Sequence, residues 1–219
     1  MTHGVSRLIQ AHFDISVMQR HCEISTKGLQ KELNELEKIM DKHLKKEDDQ
    51  DAFFRDVNDL WIDTAETIPR LQWYSQLMIA FGYFEKMMND VCKEIEVGRT
   101  ITKSVFDLRG KGITRAKNYL SREVQIKRPF SGQRWQQIKL SSRLRNAIAH
   151  NDGYVNYEPE NNRSTYSQIS RIPHVELNQE IMNQPDAQIV FGSDLIFAVL
   201  NNFDGFILDL AEELNRKYE

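Results

Sequence analysis

Apolar residues recur at helical intervals along most of the chain, and they divide it into a few long helices. Residues 5–48 predict a helix with one apolar face, because apolar residues return there at alternating steps of four and three. This stripe comprises Leu29, Leu33, Leu36, Met40 and Leu44. Such a face can pack against the rest of the chain or against a second copy. The charged run at 45–51 predicts the break that follows.

The strongest helical pattern covers residues 70–97. A shorter helical segment at 51–68 precedes it, and Pro69 is expected to end or kink that segment because proline lacks an N–H. Apolar residues cover one broad face of the longer helix, so we expect it at the centre of the fold. These residues are Leu71, Tyr74, Leu77, Met78, Phe81, Phe84, Met88, Val91, Cys92 and Ile95. Gly98 is the predicted terminator.

The rest of the chain combines helices with a short β-rich stretch. After a glycine-punctuated loop at 99–112, the predicted helices are 114–123, 133–150 and 195–217. Residues 154–157 and 167–177 are rich in β-branched and aromatic side chains and predict a hairpin, to which 188–191 adds a strand. The sequence therefore predicts a mainly α protein, a helical bundle with a small β-hairpin insertion before the last helix.

The composition is that of a folded protein without a membrane segment. A length of 219 residues suits one domain or a domain with an elaboration. A hydrophobic content of 40% with 28% charged residues is enough for a packed core. No apolar run reaches the roughly 18 residues of a membrane span, and the first residues lack an apolar signal segment. We therefore expect a cytoplasmic protein without a membrane partner.

Metal and redox chemistry have little support in the sequence. Cys22 and Cys92 are far apart and are interpreted as reduced thiols, with a single disulfide between them left open. His12, His21 and His43 are widely spaced on predicted helices and form no paired ligand spacing. No glycine-rich phosphate loop is present. We therefore predict no metal site and no cofactor.

Charge is distributed unevenly. The chain carries −3 overall, but between residues 99 and 145 thirteen lysines and arginines face only Asp107 and Glu123, which gives this segment +11. A basic block inside an acidic protein is a candidate phosphate-binding surface. The candidate RNA contacts are Arg122, Lys127, Arg128, Arg134, Lys139 and Arg143. A solvated helix face without a binding role is the alternative.

The basic block ends in the run Arg145-Asn146-Ala147-Ile148-Ala149-His150, and Asn151-Asp152-Gly153 predicts that the helix stops just beyond it. Arginine holds phosphate as a permanent cation, and histidine moves a proton near neutral pH. RNA supplies its own nucleophile, the 2′-hydroxyl. Arg145 and His150, with Asn146 as an accessory donor, therefore suffice for RNA cleavage without a metal. Both residues also suit the helix dipole, so a purely structural role stays open.

Helix geometry separates the two key residues of this run. Five residues advance about 7.5 Å and rotate roughly 140°, so Arg145 and His150 do not share a face. Asn146 and His150 are four residues apart and do share one. Two copies of the helix, antiparallel around a twofold axis, bring both sets to one cleft. Because symmetric dimers are the commonest oligomers, we expect a homodimer.

The run resembles the signature of the HEPN family (higher eukaryotes and prokaryotes nucleotide-binding domains). That signature is an arginine, usually followed by a polar residue, and then a histidine after four intervening residues. Tyr83-Phe84-Glu85 is similar to a stretch of the central HEPN helix. Residues 108–113 with Tyr119-Leu120 are similar to the segment before the motif helix in several bacterial groups. The resemblance covers about residues 69–217.

The resemblance implies an up-and-down helical bundle that dimerises, with two motif helices forming one composite cleft. It implies a metal-independent endoribonuclease in which Arg145 stabilises phosphate, His150 is the acid/base and Asn146 is the accessory polar residue. Many members are toxins or anti-phage effectors, so an antitoxin or another defence-system partner protein is expected. The implied domains are an N-terminal helix at 1–50 and a HEPN-like domain at 51–219 with a β insertion at about 154–191.

Two features depart from the family, and other functions stay open. One subtype has a tyrosine two residues after the histidine, where this chain has Asp152, so control by that subtype's antitoxin is in doubt. The predicted hairpin is absent from the smallest members. A non-catalytic module that binds RNA, a nucleotide or a protein is one alternative, and a structural helical adaptor is another. Glu85 is either a buried, hydrogen-bonded helper of the site or a packing residue of the bundle, and we favour the packing role. Trp135 is interpreted as a core residue.

Overall fold

A computed structural model describes residues 4–44, 58–98, 101, 103–179 and 185–218. Helices dominate and strands are few, which confirms the mainly α class. The long helices are α1 (Val5–Leu44), α2 (Ile68–Gly98), α5 (Gln133–Asn151) and α7 (Ser193–Tyr218). The short helices are α3 (Gly112–Arg122), α4 (Arg128–Ser131) and α6 (Thr165–Ile169), and a 3₁₀ turn spans Val105–Asp107. Within the described part of the chain, no helix is both long and apolar enough to cross a membrane.

Aromatic rings fill the contact between α2 and α7 in the core. Phe84 of α2 stacks on Phe203 of α7 with ring centroids 4.1 Å apart, and Phe81 meets the same ring edge-on at 5.0 Å. Helix α1 lies along both helices and buries Leu8 and Ile15 in the same core. Each fully buried side chain of this size contributes roughly 1.5–3 kcal/mol. The predicted central position of the helix over 70–97 is therefore confirmed.

Pro69 does not end the helix in which it lies. Helical structure is continuous from residue 58 into α2 through a π-helical turn over Asp63–Thr67. In that turn the N–H of Ile68 donates to the carbonyl oxygen of Asp63, five residues earlier. The proline follows in the first turn of α2, where a missing N–H is tolerated. The predicted end of a helix at this proline is therefore wrong.

The small sheet has a different pairing from the predicted hairpin. Strands β1 (Tyr154–Asn156), β2 (Val175–Asn178) and β3 (Asp186–Phe191) are antiparallel in the order β1-β3-β2. Tyr154 pairs with Gln188, so β3 separates the two strands that the sequence analysis paired with each other. Part of the predicted second strand is helix α6, because the Ser164 hydroxyl caps it by accepting from the Ser167 N–H. The hairpin consists of β2 and β3 instead.

Helix α1 is apolar on two sides. Leu36 of the predicted stripe is buried, and Leu29, Leu33 and Met40 are half-buried. The opposite side of the N-terminal half exposes Ile9, Phe13, Val17 and Ile24 to solvent. This second apolar side was not predicted from the sequence pattern. The predicted break at 45–51 and the domain boundary at 50 lie outside the described residues.

Candidate active site on helix α5

One face of α5 carries a row of exposed polar side chains that ends at His150. Lys139, Arg143, Asn146 and His150 follow one another at steps of four, three and four residues, which places them on one side of a helix. All four are exposed. We call these four residues the outer row. It presents an imidazole, an amide and two cations to any ligand that approaches this side of the molecule.

The sequence that follows His150 ends α5 at a defined residue. Asp152 adopts a left-handed backbone with φ of +51°, and its N–H donates to the carbonyl oxygen of Ala147. The N–H of Gly153 donates to the same oxygen at 3.3 Å. These bonds satisfy a carbonyl that the last turn of a helix otherwise leaves unpaired. The predicted stop at Asn151-Asp152-Gly153 is confirmed.

The end of α5 is also fixed to α2 and β3. The N–H of Ile189 donates to the carbonyl oxygen of Gly153 at 2.8 Å. The Tyr74 hydroxyl of α2 donates to the carbonyl oxygen of Ile189, and a side chain at position 153 would overlap the Tyr74 ring. Burial raises the pKa of Tyr74 to about 12, so the hydroxyl keeps the proton that it donates. The backbone that carries His150 is therefore held on two sides.

Arg145 lies on a different face of α5 and turns toward α2. Its Nη2 atom lies 3.6 Å from Oε2 of Glu85, and its guanidinium carbon lies 5.8 Å from the centroid of the Phe81 ring. The side chain is 23% exposed. Its Nε atom is buried and has no hydrogen-bond partner within the described residues. The Glu85 contact is an ion pair longer than a hydrogen bond, so the guanidinium retains donors for another acceptor.

The Glu85 carboxylate beside Arg145 also lies close to the start of α3. A Cβ atom at Gly112, the first residue of α3, would lie 2.8 Å from Oε2 of Glu85, so a side chain there would require this carboxylate to move. Gly112 also has a φ of +55°, a conformation that side chains disfavour. The contact with the motif arginine agrees with the alternative role of Glu85, a helper of the site, rather than with the favoured packing role. An acid inside an otherwise apolar helix face was the signal available in the sequence.

The predicted separation of Arg145 from His150 agrees with their surroundings. Arg145 faces Glu85 and Phe81 of α2, whereas Asn146 and His150 face solvent in the outer row. A single copy of the chain therefore does not direct both side chains at one phosphate. A site that uses both needs either a ligand that spans the two faces or a second copy that supplies the missing partner.

The structure divides the six predicted RNA contacts into two groups. Arg128 lies 3.7 Å from Glu212 and 4.0 Å from Glu213, and Arg134 lies 2.8 Å from Asp209. These two cations bind carboxylates of α7. The other four have no carboxylate partner within the described ranges: Arg122, Lys127, Lys139 and Arg143. Lys139 and Arg143 belong to the outer row, whereas Arg122 and Lys127 flank the turn between α3 and α4.

Trp135 and the two cysteines, which the sequence also singled out, lie in the core. Trp135 is buried and packs edge-on against Phe130, which confirms its assignment to the core. Cys22 and Cys92 are free and buried, and burial raises the pKa of Cys22 to about 11. Among the described residues, no three His, Cys, Asp or Glu side chains are grouped so that they could hold a metal ion.

No protein-family model, no curated protein and no solved structure matches this chain. The resemblance to the HEPN family therefore stays a prediction from the motif and its placement. The features that bear on function are the outer row, the pair Arg145 and Glu85, and the contacts that fix the end of α5 to α2 and β3.

Proposed function

We propose that the chain is a metal-independent endoribonuclease of the HEPN type, with a HEPN-like helical bundle and RNA as its substrate. The observation that carries the proposal is the exposed His150 at the end of a row that also presents Asn146 and Arg143. A histidine with no hydrogen-bond or ion-pair partner among the described residues, aligned with an amide and a cation, suits proton transfer beside a phosphate. Arg145, which keeps free donors beside Glu85, supplies the second cation.

The proposed reaction is an internal transesterification of RNA. His150 of one copy accepts the proton of a 2′-hydroxyl while that oxygen attacks the adjacent phosphorus. The bond from phosphorus to the 5′-oxygen breaks, and the leaving oxygen takes a proton from the same His150, which the first step has protonated. Arg145 binds the non-bridging oxygens and stabilises the charge that develops on them. Asn146 donates to the phosphate, and the products are a 2′,3′-cyclic phosphate and a 5′-hydroxyl.

The site is composite in this proposal, because Arg145 and His150 face different ways in one copy. An antiparallel pairing of two α5 helices around a twofold axis lets His150 of one copy act beside Arg145 of the other. The Glu85 carboxylate then holds Arg145 until a phosphate displaces it. Because the guanidinium is already oriented, little conformational freedom is lost when the phosphate binds.

The first test is cleavage of single-stranded RNA in the presence of EDTA. Wild-type protein is expected to cleave and to leave cyclic phosphate ends, and the Arg145→Ala and His150→Ala variants are expected to be inactive. Activity that needs a divalent metal, or equal activity in wild type and variants, contradicts the proposal. A matching DNA strand is the substrate control, because it lacks the 2′-hydroxyl.

The composite site has its own test, which mixes the two inactive variants. After subunit exchange about half of the dimers contain one copy of each variant. Such a mixed dimer has one site with both residues intact if Arg145 and His150 act from different copies. The mixture should then recover about a quarter of wild-type activity. If both residues act from the same copy, or if the chain is monomeric, mixing restores nothing.

In the cell, we propose a cytoplasmic toxin or anti-phage effector that a partner protein restrains. Induced expression of the wild-type chain is expected to arrest growth and to degrade RNA, and expression of His150→Ala is expected to do neither. Equal growth with both chains would contradict the effector role. The partner would be an antitoxin or another component of a defence system.

A non-catalytic RNA-binding module is the second candidate, and the Arg145–Glu85 ion pair favours it. An arginine already neutralised by a carboxylate contributes less to the stabilisation of a transition state. This candidate predicts salt-dependent RNA binding through the basic block without cleavage or growth arrest. Binding and cleavage measured on the same RNA separate the two candidates.

A further inference from the structure

A polar cavity opens directly beside the end of α5. It has a volume of about 320 Å³, and its walls come from the last residue of α5, from β1, from the loop 157–164 and from the start of α6. Asn151, which immediately follows His150, is part of its lining. Neighbouring Cα atoms lie about 3.8 Å apart, so the backbone that lines the cavity begins one residue after His150. Its volume is at the small end of ligand sites and suits one small planar group.

The walls of this cavity are preorganised by local hydrogen bonds. The buried Ser164 hydroxyl donates to the carbonyl oxygen of Glu158 at 3.2 Å, and the Ser164 N–H donates to the carbonyl oxygen of Asn161 at 2.9 Å. The Tyr166 ring, which lines the cavity, packs edge-on against Tyr157 at 5.1 Å. The loop and the ring are therefore set before any ligand binds.

The hydrogen-bonding groups in the cavity are largely unused. The guanidinium of Arg163 and the side-chain amides of Asn151 and Asn156 have no hydrogen-bond partner or ion pair within the described parts of the chain. Among the described residues the Glu158 carboxylate accepts one bond, from the side chain of Asn161 at 3.0 Å, and keeps further acceptor sites. The cavity therefore offers a cation, a carboxylate, two amides and an aromatic ring to one ligand.

We propose that this cavity binds one unpaired base of the RNA, next to the phosphate that is cleaved, and that it prefers guanine. The inference rests on the proposed function, because it takes the phosphate at His150 as its reference point. Proteins read unpaired RNA bases by stacking them on aromatic or guanidinium planes and by bonding to their edges. Guanine presents acceptors at O6 and N7, which suit Arg163, and it presents amino and imino donors, which suit Glu158. Uracil lacks the amino donor and the N7 acceptor.

The test measures binding in the His150→Ala background, where the RNA stays intact. Labelled all-uracil hexanucleotides and the same strand with one guanine are titrated, and fluorescence anisotropy gives the two dissociation constants. The guanine strand is expected to bind about tenfold more tightly. The double variant Glu158→Gln/Arg163→Ala should lose this preference while its affinity for the all-uracil strand changes less than about twofold. Both positions are exposed, and circular dichroism confirms that the variants fold.

Arg171→Ala is the matched control, because Arg171 is an exposed arginine whose side chain donates to Asn162 outside the cavity. It should keep the full preference for guanine. Equal binding of both strands by the starting protein overturns the proposal, and so does a preference that survives in the double variant. Failure of the proposed function looks different. Wild type then cleaves nothing, yet guanosine monophosphate still binds this cavity more tightly than uridine monophosphate in calorimetry.

Discussion

Arg145 and His150 lie on different faces of α5 and have different surroundings. The inner face is the side toward α2, and the outer face is the side that carries the outer row. Arg145, on the inner face, lies against Phe81 and forms an ion pair with Glu85. His150, on the outer face, contacts solvent at the end of the outer row. A change at the inner residue therefore disturbs contacts within the fold, whereas a change at the outer residue disturbs only what the protein binds. Function and stability can be separated experimentally along a single helix.

The largest expected effect is on cleavage by His150→Ala. Loss of the acid/base should lower the initial rate of RNA cleavage by about 10²–10⁴-fold. The melting temperature should not change, because the side chain is exposed. His21→Ala is the control, since His21 is also an exposed helical histidine but lies on α1. A rate within tenfold of wild type, or a parallel fall in melting temperature, would show that His150 acts in stability rather than as the acid/base of cleavage.

A smaller effect is expected from Glu85→Gln, which removes the charge that holds Arg145. The guanidinium should lose its fixed orientation, so kcat should fall about tenfold while KM stays the same or decreases. Glu94→Gln is the matched control on the same helix, because Glu94 pairs with Arg7 at 2.5 Å on the surface. An unchanged kcat, or a loss confined to KM, would show that Glu85 does not position the arginine.

The two cations of the outer row should have a smaller effect again. Arg143→Ala and Lys139→Ala are each expected to weaken RNA binding about threefold and to reduce the slope of log affinity against log salt by about one. Arg134→Ala should change the slope less, because Arg134 is neutralised by Asp209 at 2.8 Å. Equal slopes for all three variants would mean that RNA follows the basic block rather than the outer row. Filter binding at several salt concentrations measures these slopes.

The smallest expected effect is on the stability of the fold, through two buried side chains, and it appears only at alkaline pH. Burial raises the pKa of Tyr74 to about 12 and that of Cys22 to about 11. The unfolded chain loses these protons at about pH 10 and 8.5. The free energy of unfolding should thus be unaffected below about pH 8 and should fall as the pH rises toward 11 and 12. Urea midpoints at pH 8 and 11 measure the fall, and Tyr74→Phe should reduce it. Identical midpoints would contradict the prediction.

The sequence pattern correctly predicted the features that depend on residues close together in the chain, which are the long helices and the end of the motif helix. Helical periodicity identified α2, α5 and α7 to within two residues at most ends, and Asn151-Asp152-Gly153 identified the end of the motif helix. The 140° separation of Arg145 from His150 follows from helix geometry alone. The exposed outer row could also have been found in this way, because its spacing is that of one helix face.

Contacts between distant segments could not be predicted in the same way. The position of β3 between β1 and β2 depends on chain that returns from residue 186 onward, and no local pattern specifies that register. The contact of Glu85 with Arg145 joins residues 60 positions apart. The helix continues through Pro69 because a π-helical turn precedes it, and the residue types at 63–67 do not predict such a turn. Each of these features is decided by packing after the helices have formed.

Substitutions of Gly112 are expected to inactivate the protein, although Gly112 lies outside the motif. It lies in neither half of the motif, yet any side chain there meets Oε2 of Glu85 at about 2.8 Å and must also adopt a φ of +55°. If expression of the protein arrests growth, suppressor mutations should therefore accumulate at position 112 as well as at Arg145 and His150. Such alleles would encode a protein with an intact motif and an exposed, unaltered histidine. Sequence inspection alone would classify them as functional.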